Sequence, residues 1–91
     1  MKIYVICGAG VGTSLLLKMN VEKALSELSI PKPYEVLNTS VSLAKSINAD
    51  LIYSFESFVP DLKHITSNII VIDNLMDVEE IKKKTREYFK I

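Results

Sequence analysis

Hydrophobic and polar positions change period several times along this chain, and each change marks an element. Lys2 to Ile6 is a short apolar, β-branched run that predicts a buried strand, central because both of its faces are apolar. Further on the period becomes helical. Leu17, Val21, Ala24, Leu25 and Leu28 share one face, while Lys18, Glu22, Ser26 and Ser29 lie away from it. The start of this helix is expected near Gly12 or Thr13. Leu15 and Met19, one turn apart, fall off the core face and close to the preceding loop. They are expected to fill a gap beneath a neighbouring loop; the alternative is an apolar docking collar.

Ile30-Pro31-Lys32-Pro33 stops the helix, since proline cannot continue it. Tyr34 to Leu37 predicts a shorter, more polar strand at a sheet edge, with Asn38-Thr39-Ser40 as turn and cap. Val41 to Ile47 predicts a short helix, and Leu51-Ile52-Tyr53 a third strand. Ser54 to Thr66 is irregular, with room for one helical turn and one of Phe55 and Phe58 in the core. Ile69 to Ile72 is the strongest strand signal, continuous and β-branched as in a parallel sheet covered on both faces. Asp77, with Glu80 three residues on, predicts a capping box. The last helix runs to about Phe89 with Val78, Ile81, Thr85, Tyr88 and Phe89 inward. Lys82, Lys83, Lys84, Arg86 and Lys90 are expected to form a solvated face that complements the helix dipole.

Strands and helices thus alternate as βαβαβαβα. This predicts an α/β fold with an open parallel sheet, right-handed crossovers and helices on both faces. The 91 residues are expected to form one domain, 1–91, with no repeats and no low-complexity segments. Lysine plus arginine equals aspartate plus glutamate at 11 each, which argues against nucleic acid as a partner. The apolar runs are too short to span a bilayer, so no membrane insertion is expected. The first strand begins at once, without the pattern of a secretory leader, which predicts a cytoplasmic protein. One cysteine allows no internal disulfide. One cysteine and one histidine do not make a structural zinc site, and neither a metal nor a cofactor is expected.

The candidate chemistry sits in Cys7-Gly8-Ala9-Gly10-Val11-Gly12-Thr13-Ser14, between the first strand and the first helix. All three glycines and the single cysteine fall here. Glycines this dense remove side chains and permit positive φ, so backbone N–H groups can converge just beyond the strand. That point lies at the positive end of the helix dipole and favours an anion. A thiolate is itself an anion, and such a position is expected to lower the pKa of Cys7. Cys7 then reads as a nucleophile that carries or attacks a phosphoryl group. Gly8, Ala9, Gly10, Val11, Gly12, Thr13 and Ser14 would supply backbone donors, with hydroxyls added by Thr13 and Ser14. In open parallel sheets, sites form at the carboxyl ends of strands, which here carry Cys7, Asn38, Ser54 with Phe55, and Asp73 with Asn74.

Other loops of this kind fit less well. The lysine of a nucleotide-binding P-loop is missing after Gly12, the last glycine spacing is wrong for a dinucleotide site, and there is no second cysteine for thioredoxin-like chemistry. A cysteine-dependent phosphatase has cysteine, five residues, arginine, then serine or threonine. Here Thr13 stands where the arginine belongs, and Ser14 follows. The arginine clamps phosphate and stabilises the transition state. Without it, a phosphocysteine can be held while its hydrolysis is poorly assisted, which suits a carrier. A small phosphatase or an arsenate reductase remains the alternative, with Asp61 or Asp73 as general acid. His64 is expected to be an ordinary loop histidine rather than a second phosphorylation site.

The run from Cys7 to Ser14, continuing Leu15-Leu16-Leu17-Lys18-Met19-Asn20-Val21-Glu22-Lys23-Ala24-Leu25, resembles the IIB component of the bacterial phosphoenolpyruvate-dependent sugar phosphotransferase system. The resemblance is strongest to the ascorbate branch, then to the galactitol branch. It implies a four-stranded parallel sheet in the order 2-1-3-4. It also implies that Cys7 receives phosphate from a phosphohistidine on a IIA domain. Cys7 would then pass it to a sugar or sugar acid, L-ascorbate in the ascorbate branch, held by the membrane IIC permease, beside which the chain would work.

Overall fold

The computed structural model describes residues 1–8 and 11–91, and Val11 by its backbone alone. The expectations for Ala9, Gly10 and the Val11 side chain lie outside the described residues.

Strand β1 spans Lys2–Cys7 and helix α1 spans Val11–Glu27. Strand β2 (Glu35–Ser40) leads into a 3₁₀ segment, Val41–Ser46. Strand β3 (Leu51–Ser54) is followed by a 3₁₀ turn at Glu56–Phe58 and the one-turn helix α2 (Val59–Leu62). Strand β4 (Ile69–Val71) and helix α3 (Val78–Phe89) complete the order. The strands lie in the order β2-β1-β3-β4, and every pairing is parallel. The fold class, the sheet order and the central place of β1 are as expected.

Alternation along the strands divides the core. Ile3, Val5 and Cys7 of β1 face α1 and α3 and pack with Leu17, Val21 and Ile81. Ile6 and Ile52 face the other way and pack with Ala44 and Leu62, from the 3₁₀ segment and α2. One face is therefore covered by two long helices and the other by short turns. Beneath α3 the Tyr53 hydroxyl meets Thr85 Oγ1 at 2.7 Å. Burial is the main reason that this phenol is pushed up to about 12.

Four expectations need correction. The polar Asn38-Thr39-Ser40 is strand, not turn, because these residues pair with Val5, Ile6 and Cys7 of β1. Both phenylalanines pack on the core, Phe55 on the face under α1 and α3 and Phe58 on the other. The capping box closes in one direction only. Asp77 Oδ1 accepts from the Glu80 amide at 3.1 Å, but the Glu80 carboxylate accepts instead from the amides of Asp73 and Asn74, at 2.7 and 2.9 Å. The basic run is also more than a solvated face. Lys82 Nζ lies 3.1 Å from Glu27 of α1, and Lys84 Nζ donates to the Val71 carbonyl at 2.6 Å and to Glu80 at 2.8 Å.

Candidate functional site

The carboxyl end of β1 sets the site. Cys7 is the last residue of β1 and pairs with Ser40, the last of β2. Helix α1 begins three residues beyond Gly8, so its N-terminus lies close along the chain to the thiol. Inward alternation of β1 puts the Cys7 side chain among Val5, Leu17 and their neighbours, at 2% exposure. Burial therefore pushes the thiol up from its ordinary pKa. This corrects the expected lowering: the apolar wall around Cys7 disfavours the thiolate.

Three contacts tie β1, Gly8 and the start of α1 to the other strands and the turn after β3. Ser54 Oγ, fully buried at the end of β3, donates to the Ile6 carbonyl at 2.6 Å and ties β3 to β1 one residue before Cys7. Asn38 of β2 donates from Nδ2 to Ser14 Oγ at 3.2 Å and links the first turn of α1 to the edge strand. Phe58, from the 3₁₀ turn after β3, lies against Gly8. A Cβ on Gly8 would stand 2.7 Å from the ring Cε1 and closer still to Cζ. Gly8 is thus a glycine for space. Neither Gly8 nor Gly12 uses the positive φ that glycine permits, and among the described residues, its chain neighbours and own helix backbone aside, nothing lies within 4 Å of a Cβ on Gly12.

The structure sets Ser54 and Phe58 beside the Ile6–Gly8 end of β1, holds Ser14 separately against Asn38 of β2, and leaves Gly12 and Thr13 exposed on the first turn of α1. Leu15 and Met19 do not fill a gap. They are 46% and 57% exposed, and Leu16 beside them is 47% exposed. Helix α1 continues beside the turn after β4, where Asn20 Nδ2 donates to the Leu75 carbonyl at 2.7 Å. His64 and Asp61 are exposed at and beyond α2, in the irregular segment. Asp73 is exposed and lies 3.5 Å from Lys84 Nζ, within the network that holds the β4–α3 turn. Among the described residues, no three histidines, cysteines, aspartates or glutamates gather as metal ligands, and no helix is long and apolar enough to cross a membrane.

Sequence reasoning missed Phe58. Fifty residues separate it from Gly8, and nothing in the local pattern marks which aromatic the loop rests on. It placed Asn38 and Ser54 at strand ends but gave neither its partner.

The chain resembles known proteins over nearly its whole length. Residues 2–87 match the family model described as the lactose/cellobiose-specific IIB subunit of the phosphotransferase system. The ascorbate-specific EIIB component of Mycoplasma pneumoniae is 36% identical over 85 residues, covering 89% of this chain and 86% of that protein. The lactose-specific IIB domain of the phosphoenolpyruvate:carbohydrate phosphotransferase system from Streptococcus pneumoniae matches with a TM-score of 0.50 at 18% identity. That match covers 99% of this chain and 91% of the other, and supports the fold. A parallel sheet in the order 2-1-3-4, a cysteine loop at the end of its central strand and this extent of sequence match agree, and the chain belongs to the IIB family, the phosphoryl-carrying components of sugar phosphotransferase systems.

Proposed function

We propose that Cys7 is the residue that carries the phosphoryl group, with residues 1–91 acting as one carrier domain. The phosphoryl group leaves a phosphohistidine of a IIA partner: its N–P bond breaks, an S–P bond forms at Cys7, and the thiol proton passes to the released imidazole. In the second step a sugar hydroxyl, held by a IIC permease, attacks phosphorus. The S–P bond breaks, an O–P bond forms, and the hydroxyl proton ends on the sulfur. No cofactor or metal takes part.

The observation that carries this reading is the position of Cys7: last in the central strand, just before the N-terminus of the longest helix. Negative charge gathers on phosphate oxygens in both steps, and a helix N-terminus offers amides and a dipole to receive it. Gly8, Ala9, Gly10, Val11, Gly12, Thr13 and Ser14 supply the donors. A neutral resting thiol fits a carrier that reacts only when a docked donor excludes water and accepts its proton. Thr13 in place of a clamping arginine fits slow hydrolysis. The exposed Leu15, Leu16 and Met19 form the apolar ground on which IIA and IIC alternate, with the chain outside the bilayer in the cytoplasm. L-ascorbate is the cargo this reading favours, on the strength of the relative from Mycoplasma pneumoniae.

Reconstitution tests it. With phosphoenolpyruvate, the general donor proteins, a IIA partner and IIC-containing membranes, the chain should support phosphorylation of L-ascorbate, and Cys7→Ser should abolish it. Undiminished transfer by Cys7→Ser contradicts the carrier assignment. Transfer to lactose or cellobiose in preference to L-ascorbate contradicts the cargo alone.

A further inference from the structure

The Cys7-Gly8 peptide is the exit of β1 into the loop, and the side chain packed against Gly8 lies far away in sequence. Phe58 comes from the 3₁₀ turn after β3, and its ring occupies the space that a Gly8 side chain would need. The ring is itself held on two sides. It packs on the cluster of Ile6, Ala44, Ile52 and Leu62, and Phe55 meets it edge-on at 6.5 Å between centroids. The segment that delivers it is anchored one residue before Cys7, because Ser54 Oγ donates to the Ile6 carbonyl at 2.6 Å. Ser54 is fully buried, so this bond is shielded from water. One short stretch of chain, 54–58, therefore braces β1 just before the cysteine through Ser54 and just after it through Phe58.

We propose that Phe58 is a positioning residue of the carrier site, acting through Gly8. The ring is the template on which Gly8 is laid, and it sets the direction in which the chain leaves the sulfur at Gly8. A loop that must meet phosphate oxygens in fixed geometry loses reactivity steeply when its start is displaced; misplacement of about 1 Å can cost on the order of a hundredfold. The same brace governs the lifetime of the adduct. Hydrolysis adds water oxygen to phosphorus, breaks the S–P bond and returns the proton to sulfur, giving inorganic phosphate and the free thiol. A loosely laid loop lets water reach phosphorus from more directions. This inference rests on the reading of Cys7 as the phosphoryl carrier.

The test is a double-mutant cycle on the full chain with Gly8→Ala, Phe58→Ala and the double variant, together with Phe58→Leu. Two rates are read: phosphoryl acceptance from phosphorylated IIA, and loss of the phosphocysteine in buffer. The expected result is acceptance about tenfold or more slower, and hydrolysis faster, in Phe58→Ala, with Phe58→Leu between it and the wild type. Gly8→Ala should lose acceptance because its methyl meets the ring, and the double variant should recover part of that loss. The double variant's acceptance rate, relative to wild type, should exceed the product of the two single effects by about threefold or more. Acceptance and lifetime within about twofold of wild type in Phe58→Ala, with independent single effects in the cycle, would overturn the proposal. Should Phe58→Ala fail to fold, Phe58→Leu and the Gly8→Ala/Phe58→Leu pair give the same decision. A wild-type chain that takes no phosphate on Cys7 removes the underlying reading instead, and that outcome is visible before any variant is made.

Discussion

At the β1 end of the glycine-rich loop, every described neighbour is the protein itself. Cys7 is buried among apolar side chains, and Gly8 has a phenylalanine ring where a methyl would go. At the α1 end the surroundings are open. Gly12 and Thr13 are exposed, no described residue beyond its chain neighbours and own helix backbone lies within 4 Å of a Cβ on Gly12, and Leu15 and Leu16 turn apolar surface outward. Two glycines four residues apart thus answer to different demands. Gly8 is required by packing inside the fold. Gly12 weakens the first turn of a helix without relieving any clash in the fold. A crowded end holds Cys7 and Gly8 in place, and an open end leaves the first turn of α1 accessible.

The substitution that strains this contrast most is Gly8→Ala. Inserting a methyl into the Phe58 ring should cost about 1–3 kcal/mol of stability, read by urea unfolding. An unchanged midpoint would mean that the crowded end is not crowded. Next is Asn38→Ala, which removes the amide that donates to Ser14 where α1 meets β2. A loss of about 0.5–1.5 kcal/mol is expected, together with faster hydrogen exchange at the first turn of α1. A loss without the local change in exchange would place the bond's contribution elsewhere. Gly12→Ala should act in the opposite direction and stabilise the chain by about 0.4–1 kcal/mol, since its backbone is helical and no described residue beyond its chain neighbours and own helix backbone would crowd the methyl. Destabilisation there would break the contrast. The smallest effect appears only in acid, away from the loop. Burial alone would raise the Glu80 carboxyl, but Lys84 and the amides of Asp73 and Asn74 outweigh it and hold it below its usual value. Its contribution is therefore fully present above the ordinary carboxylate pKa and is lost as pH falls through the lowered one. Glu80→Gln should flatten the acid limb of stability against pH, and an unaltered limb would assign that limb to other carboxylates.

Much of this architecture is legible in local pattern. The alternation of periods gives the βα order, and the helical face of Leu17, Val21, Ala24 and Leu25 is the buried face of α1. Asp77 is the cap that its spacing predicts. What the pattern does not carry is contact across distance. Glu80 turns to the amides of Asp73 and Asn74 because the β4–α3 turn folds back over the first turn of α3. Asn38 to Ser40 look like a turn by composition yet extend β2, since β1 supplies hydrogen-bonding partners for an edge strand regardless of polarity. At the site, the cysteine, the glycines and the hydroxyls are visible as a motif. Their environment is not: burial of Cys7 follows from strand parity and the covering helices, and the Phe58 brace depends on a turn fifty residues on. That burial reverses the direction of the thiol pKa from the one the motif alone suggests.

The proposed carrier role requires a phosphoryl group bound to the Cys7 sulfur. Peptide mapping by mass spectrometry, after brief reaction with phosphorylated IIA and kept away from acid, locates the adduct directly. One phosphate on the peptide that contains Cys7, absent from Cys7→Ser, is the predicted result. A phosphate found on the peptide that contains His64, with Cys7 unmodified, would contradict it.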